Sequence, residues 1–257
     1  MLPQQLIWGA VPDGFAKWSD GNGGRMIVRC GREREIDIGI CNGDNRRSEA
    51  SRYQGRSNLR TFHLSGGANA LVRLYRHGGT LGRLTGQWFF TWPPRPFVEL
   101  AVTEELRRRG VPTVEVLAAC AIRGVGPFYR GCLVTRELAD SEDLWSALQS
   151  GLVGRLGWQT TLRAVAASIR AMHREGVFHG DLNLKNILVR PEENGVASYI
   201  IDFDKAKLFL GKLPAELVKI NLDRLRRSAR KLDPQANYFS APAWEEFVNF
   251  YHDGATG

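Results

Sequence analysis

Residues 179–189 read HGDLNLKNILV, and residues 199–204 read YIIDFD. The segment places Asp181 first, Asn186 five residues later, and Asp202 sixteen residues beyond that. Residues 187–189 and 197–201 are expected as strands, because β-branched and aromatic side chains gather there on either side of a turn at Glu193-Asn194-Gly195. A hairpin of these strands brings Asn186, before the first, close to Asp202, after the second. Carboxylate and amide oxygens are hard donors suited to Mg2+, an ion that also takes phosphate oxygens as ligands. Asp181, on the loop ahead of the hairpin, is placed to accept the proton of an incoming hydroxyl. Two metal-binding groups and one residue orienting a nucleophile are what phosphoryl transfer asks of a protein.

The pattern resembles the catalytic loop and metal-binding segment of the protein-kinase-like fold. His179-Gly180-Asp181 stands at the His-Arg-Asp position and Asp202-Phe203-Asp204 at the Asp-Phe-Gly position. Gly at 180 removes the Arg that commonly anchors a phosphorylated activation loop, which disfavours that form of control. His179 is expected to tie the loop to the core rather than to shuttle protons.

Upstream, residues 59–64 and 70–76 read as two strands joined at Ser65-Gly66-Gly67, with a further turn at His77-Gly78-Gly79. Arg73 is the cation in an otherwise largely apolar run. Residues 97–109 read as a helix with Phe97, Leu100, Ala101 and Leu106 on one stripe and Gly110 as its stop. Glu99 in its first turn is the expected partner of Arg73, with Glu104 second; this pair would position nucleotide phosphates. Arg keeps the charge of the usual Lys and adds a bidentate fork. Gly55, Arg56 and Ser57 form either a nucleotide-facing turn or an ordinary hairpin. Strands are expected at 113–119 and 129–135, completing a small sheet that carries one helix. The first 45 or so residues are weakly periodic, with a short strand at 25–28.

Downstream, Ser141 with Glu142 and Asp143 is expected to open a helix containing Leu144 and Leu148. Residues 160–173 form a clearer helix, buried through Leu162, Val165, Ala166, Ile169 and Met172. Ala241-Pro242-Ala243 reads as a turn leading a helix, with Trp244, Phe247, Val248 and Tyr251 packing behind it. The whole is an α+β chain of the two-lobed protein-kinase-like fold, with a small antiparallel-sheet N-terminal nucleotide-binding lobe (1–136). The mainly helical C-terminal catalytic and acceptor-binding lobe (137–257) has a reduced C-terminal region. Only 55 residues follow Asp202, fewer than protein kinases generally use there, which disfavours a protein substrate.

VRLYRHGG at 72–79, FVEL at 97–100, RRRGVPTVEV at 107–116, HGDLNLKNILV, IDFDKAK at 201–207 and NLDRLRRSARK at 221–231 together resemble the bacterial 3-deoxy-D-manno-octulosonic acid (Kdo) kinase family, within a lipopolysaccharide-core kinase group. The likeness covers about residues 50–235. It implies use of ATP and Mg2+ to phosphorylate a hydroxyl of Kdo on a lipid A precursor, at the cytoplasmic face of the inner membrane. Carried over, Asp181 is the base with His179 beside it, Asn186 and Asp202 are metal ligands, and Arg73 with Glu99 is the phosphate-positioning pair. A heptose or aminoglycoside-like kinase shares the same core. A protein kinase, a nuclease and a non-catalytic anionic-ligand-binding protein remain as alternatives.

The 257 residues carry 35 Lys and Arg against 27 Asp and Glu, a formal net charge of +8, with 43% hydrophobic residues. That profile describes a folded chain with an anionic partner, and basicity alone does not select which. Arg224, Arg226, Arg227 and Lys231, with Lys205 after the metal-binding segment, are the candidate contacts to an anionic glycolipid or a membrane surface; nucleic acid is not expected. GQWFFTWPPRP at 86–96 either meets a membrane interface or packs at a lobe boundary. The four cysteines show neither a C-x-x-C nor zinc-ligand spacing, so thiols are expected. No apolar run reaches the length of a membrane span, and no signal peptide is expected.

Overall fold

In the computed structural model, residues 11–42, 48–50, 59–76 and 86–253 are described, with 41–42 and 48–50 as backbone only. The chain divides into two compact units, one of residues 1–105 with 115–137, the other of 106–114 with 138–257.

The first unit is built on alternation. Strands β1 (Phe15–Ser19), β2 (Gly24–Arg29), β3 (Ser48–Ala50), β4 (Leu59–His63), β5 (Asn69–Leu74), β6 (Val116–Arg123) and β7 (Tyr129–Arg136) form one sheet in the order β1-β2-β6-β7-β5-β4-β3. Every pairing in it is antiparallel. Successive side chains of a strand face opposite sides, and two apolar clusters follow from it. Met26, Val28, Ala118, Cys120 and Val134 lie in one, packed with Ile36 and Ile40. Ile27, Ala119, Ala121 and Leu133 lie in the other, packed with Phe97 and Leu100. Burial on both faces explains why β6 reads as an unbroken small-apolar run instead of an alternating one.

β4 and β5 pair from Leu59↔Arg73 to His63↔Asn69. The turn between them holds Gly66 and Gly67 at φ 90° and 81°, where a side chain is strained. Helix α1 (Gly39–Asn42) caps the first face, and α2 (Arg95–Arg108) follows β5 in the chain. The first 45 residues therefore do more than their weak periodicity suggests. They extend the sheet beyond β6 with a hairpin whose turn rests on Asp20, which accepts hydrogen bonds from the backbone of Asn22 and Gly24, each at 2.8 Å. The strand expected at 113–119 begins later, at Val116.

The second unit carries the helices α3 (Leu144–Gln149), α4 (Leu152–Leu156), α5 (Trp158–Arg174), α6 (Ala215–Leu232) and α7 (Ala241–Asp253). Strand β8 (Glu142–Asp143) precedes α3, and the cap of α3 is Asp143, whose carboxylate accepts from the Ser146 N–H at 3.1 Å. Ser141, the expected cap, instead donates to the Leu138 carbonyl at 2.8 Å. Ala241-Pro242-Ala243 is the first turn of α7 itself. At the core of the unit His173 of α5 meets Tyr251 of α7 at 2.9 Å and Asn221 of α6 at 3.0 Å. These polar contacts join three helices through one buried imidazole.

Strands β9 (Val177–Phe178), β10 (Ile187–Glu192), β11 (Gly195–Ile200) and β12 (Lys207–Leu208) complete this unit. β10 and β11 form the expected hairpin, in register from Ile187↔Ile200 to Glu192↔Gly195. The expectation that all cysteines are thiols is corrected at Cys132, which is disulfide-bonded, while Cys30 and Cys120 are free. No described helix is long and apolar enough to cross a membrane.

Candidate active site

The loop from His179 to Asn186 leaves β9 and enters β10, so both of its ends are fixed by strands. His179 is fully buried. Its Nε2–H donates to the Ile201 carbonyl at 3.0 Å, and its Nδ1 accepts from the Asp181 N–H at 3.2 Å. One ring thus ties the loop to the end of β11 while resting 5.0 Å from the ring of Phe203. Burial pushes its pKa down, opposed by the Ile201 carbonyl and the charges of Asp202 and Asp181. Its ring is enclosed by these contacts, and burial disfavours the charged imidazolium.

Gly180 shows why no larger residue stands there. Its φ is 76°, and a Cβ would lie 2.4 Å from the Lys205 carbonyl oxygen. The close approach lets the 203–205 turn lie against the loop, which in turn puts Lys205 Nζ 3.3 Å from Asp181 Oδ2. Lys205, expected with the basic helix, is therefore a partner of Asp181. Both side chains are well exposed, so the pair orients more than it stabilises.

Two amides hold the loop from within. Asn183 Nδ2 and Asn186 Nδ2 both donate to the Asp181 carbonyl, at 2.9 and 3.0 Å. Asn186 is largely buried and spends its nitrogen here, which leaves Oδ1 as its donor atom for a cation. The Ile201 N–H reaches the Asn186 carbonyl at 3.0 Å, so the hairpin brings residue 186 beside the strand end that carries Asp202. Asp202 has φ 69°, a left-handed conformation costly for a residue with a Cβ and typical of functional sites. Among the described residues no group of three His, Cys, Asp or Glu side chains could hold a metal. The available set is an amide and a carboxylate oxygen, which fits Mg2+, a cation that keeps water and phosphate as its remaining ligands.

In the first unit Arg73 forms an ion pair with Glu99, which is almost completely buried. The hydroxyl of Tyr75 donates to the same carboxylate oxygen, and Arg73 Nη2 reaches that hydroxyl at 3.3 Å. Tyr75 was not singled out by sequence; its signal is its place two residues after Arg73, on the same face of an extended strand. Glu104, the second candidate partner, serves elsewhere: it pairs with Arg29 at 2.7 Å and accepts from the Val116 N–H. Gly55, Arg56 and Ser57 lie outside the described residues.

The basic helix α6 separates its cations. At ~100° per residue, Arg224, Arg227 and Lys231 fall on the flank of Ser228, while Arg226 falls on the other side. Contacts agree with this geometry. Ser228 Oγ accepts from the Leu184 N–H of the 179–186 loop at 3.3 Å, whereas Arg226 stacks 5.7 Å from the ring centre of Trp244. Nε of Arg224 is buried and has no hydrogen-bond partner among the described residues. The five expected acceptor contacts are thus three on one flank of α6, one against Trp244 and one on Asp181.

A family model described as the lipopolysaccharide kinase (Kdo/WaaP) family matches residues 42–251. A 3-deoxy-D-manno-octulosonic acid kinase of Vibrio vulnificus (strain YJ016) is 37% identical over 165 residues, covering 63% of this chain and 65% of that protein. The chain therefore spans just under two thirds of the length of that relative. The corresponding kinase of Pasteurella multocida is 31% identical over 189 residues, covering 72% of this chain and 76% of its own. Among solved structures, WaaP in complex with acyl carrier protein shares the fold with a TM-score of 0.56, at 22% identity and 89% coverage of each chain. With an HGD loop, an Asn and a DFD segment assembled on one hairpin, and a family match running from before β3 into α7, the chain belongs to the lipopolysaccharide kinase (Kdo/WaaP) family.

Proposed function

We propose that the protein transfers the terminal phosphoryl group of ATP to a hydroxyl of a lipid-linked Kdo residue, as a peripheral enzyme at the cytoplasmic face of the inner membrane. The observation that carries this reading is the juncture of Asp181, Asn186, Asp202 and Lys205 around the catalytic loop. Asp181 orients the acceptor hydroxyl and takes its proton as the new P–O bond forms. Lys205, at hydrogen-bond range of that carboxylate, fixes its direction and offers positive charge to the phosphoryl oxygens. Mg2+ held through Asn186 and Asp202 would supply charge neutralisation to the triphosphate. Arg73, aimed by Glu99 and Tyr75, is assigned to nucleotide phosphate. Arg224, Arg227 and Lys231 are assigned to the anionic groups of the acceptor.

The test is direct. The purified protein with ATP and Mg2+ is incubated with a Kdo-bearing lipid A precursor, a heptose-bearing core and lipid-free sugars, and the products are assigned by mass spectrometry and NMR. Phosphate on Kdo is expected. Phosphate on heptose alone would move the acceptor within the family, and the absence of any Mg2+-dependent transfer would reject the kinase reading.

A further inference from the structure

One face of the first unit is apolar where a water-exposed surface is not. Segment 86–94 is held to the sheet by a two-bond bridge, Phe89 N–H to the Tyr129 carbonyl at 2.8 Å and Tyr129 N–H to the Phe89 carbonyl at 3.0 Å. Phe89 is the buried anchor, and its neighbours turn outward: Phe90 is 69% exposed and Trp92 72%. Beside them the β6–β7 turn presents Val125 at 90% and Phe128 at 46%. The rings of Phe90 and Phe128 lie 6.0 Å apart, joining the two loops into one patch. Between them opens a groove of about 580 Å³ whose charged lining residues, among those described, are Arg25 and Arg123. Arg130 stacks 5.1 Å from the Trp88 ring at its margin.

The support beneath the patch is hydrogen-bonded and closely packed. The Arg95 N–H donates to the Tyr129 hydroxyl at 2.9 Å, and the Gly124 N–H donates to the Phe128 carbonyl at 2.8 Å. A Cβ on Gly124 would lie 2.0 Å from the Trp88 ring, so that indole lies directly across the turn. Exposure this high on Phe, Trp and Val is therefore maintained by structure rather than tolerated in a loose loop. Exposed contiguous apolar groups of this kind mark an interaction site. Two features select its partner. Projecting Trp and Phe side chains suit the boundary between headgroups and acyl chains, and the arginines of the groove match anionic headgroups.

We infer that this face of the first unit docks onto an anionic lipid bilayer, with Phe90, Trp92, Val125 and Phe128 entering the acyl boundary and Arg25 and Arg123 meeting the headgroups. The inference deepens the proposed function and rests on it for its purpose, since a lipid-linked acceptor is presented at a bilayer. Its test does not depend on catalysis.

The full chain is sedimented with vesicles of phosphatidylglycerol or of phosphatidylcholine, both free of any acceptor sugar. Partition into phosphatidylglycerol is expected to exceed that into phosphatidylcholine by about tenfold or more, and to fall with salt. Phe90→Ser with Trp92→Ser should weaken binding to both by about tenfold, and Arg25→Gln with Arg123→Gln should erase only the headgroup preference. Melting curves of the exposed-site variants check that each is folded, and Val125→Asp provides an independent single change. A wild-type chain that stays in the supernatant overturns the inference. So does equal binding by the Phe90/Trp92 variant, or a concentration-dependent dimer that this variant abolishes, which would make the face a self-contact. Because no phosphate transfer is read, failure here and failure of the kinase assay are separate results.

Discussion

The two units build their polar centres in opposite ways. In the second, the groups assigned to phosphoryl transfer itself lie between His179 and Lys205, and one hairpin register, Ile187↔Ile200, brings residues 186 and 202 together. In the first, Arg73 and Glu99 come from a strand and a helix separated by 26 positions, and a third residue, Tyr75, completes the pair. A local constellation is specified by backbone turns and hydrogen bonds that short sequence patterns encode. A distributed one depends on how a helix is seated on a sheet. Substitutions should therefore remove chemistry in the second unit while leaving its architecture, and should disturb both together in the first.

The sharpest form of this contrast is Asp181→Asn. The substitution keeps shape and removes the proton acceptor, so kcat should fall about 10²–10⁴-fold with nucleotide affinity preserved, the range usual for loss of a general base. Measured turnover near wild type would show that Asp181 does not take the proton. Glu99→Gln is the counterpart. It leaves Arg73 without its buried counter-charge, so the KM for ATP should rise and the unfolding free energy should drop together, the latter by about 3 kcal/mol as for breaking a buried ion pair. Unchanged stability alongside lost activity would place Glu99 in the same local category as Asp181 and dissolve the comparison.

How much of this was legible follows the same division. HGDLNLKN and DFD point to the loop, the hairpin and the juncture of residues 186 and 202, because strand propensity and an Asn-Gly turn are enough to set that register. Gly180 as a packing requirement is not legible, since the Lys205 carbonyl it accommodates comes from 25 residues later. Of the β1–β2 hairpin the strand at 25–28 is legible and its partner is not, because Asp20 and a run of glycines make the turn, and glycine-rich stretches carry little periodicity. The cap of α3 shifts from Ser141 to Asp143 because a two-residue strand pairs with β10 first. The basic run of α6 reads as one patch until Trp244 of α7 is known to lie under Arg226. In each case the missing information is a contact distant in sequence.

An intermediate effect tests the architecture of the second unit through pH. Burial pushes His173 down to about 4, helped by the nearby His179. In the unfolded chain the imidazole titrates near its ordinary value of about 6.5. The folded pKa is the lower of the two, so the unfolded state binds the proton first and stability increases with pH across this window. The contribution is complete above about pH 6.5 and is lost as pH falls toward 4, amounting to about 3 kcal/mol at most. Urea unfolding between pH 7 and 5, where ordinary carboxylates scarcely titrate, should show the loss. A flat profile would mean that the imidazole is hydrated and that the contacts to Tyr251 and Asn221 do not keep it neutral.

The smallest effect refines the first unit. Tyr75→Phe removes one hydroxyl from the Glu99 carboxylate and leaves the Arg73 ion pair and the edge-on contact of the ring with Phe89, whose centroid is 6.2 Å away. A hydrogen bond to a charged acceptor contributes about 1.5–3 kcal/mol, and the remaining Arg73 contact should keep the loss near the lower end. If Tyr75 aims the ion pair, the KM for ATP rises severalfold while kcat holds. If the hydroxyl serves only the core, stability falls and both kinetic constants stay where they were. The first outcome makes the phosphate-positioning group a triad spread over β5, the residue that follows it and α2, and keeps the contrast with the self-contained loop of the second unit. The second reduces it to a pair whose geometry is set by the helix alone.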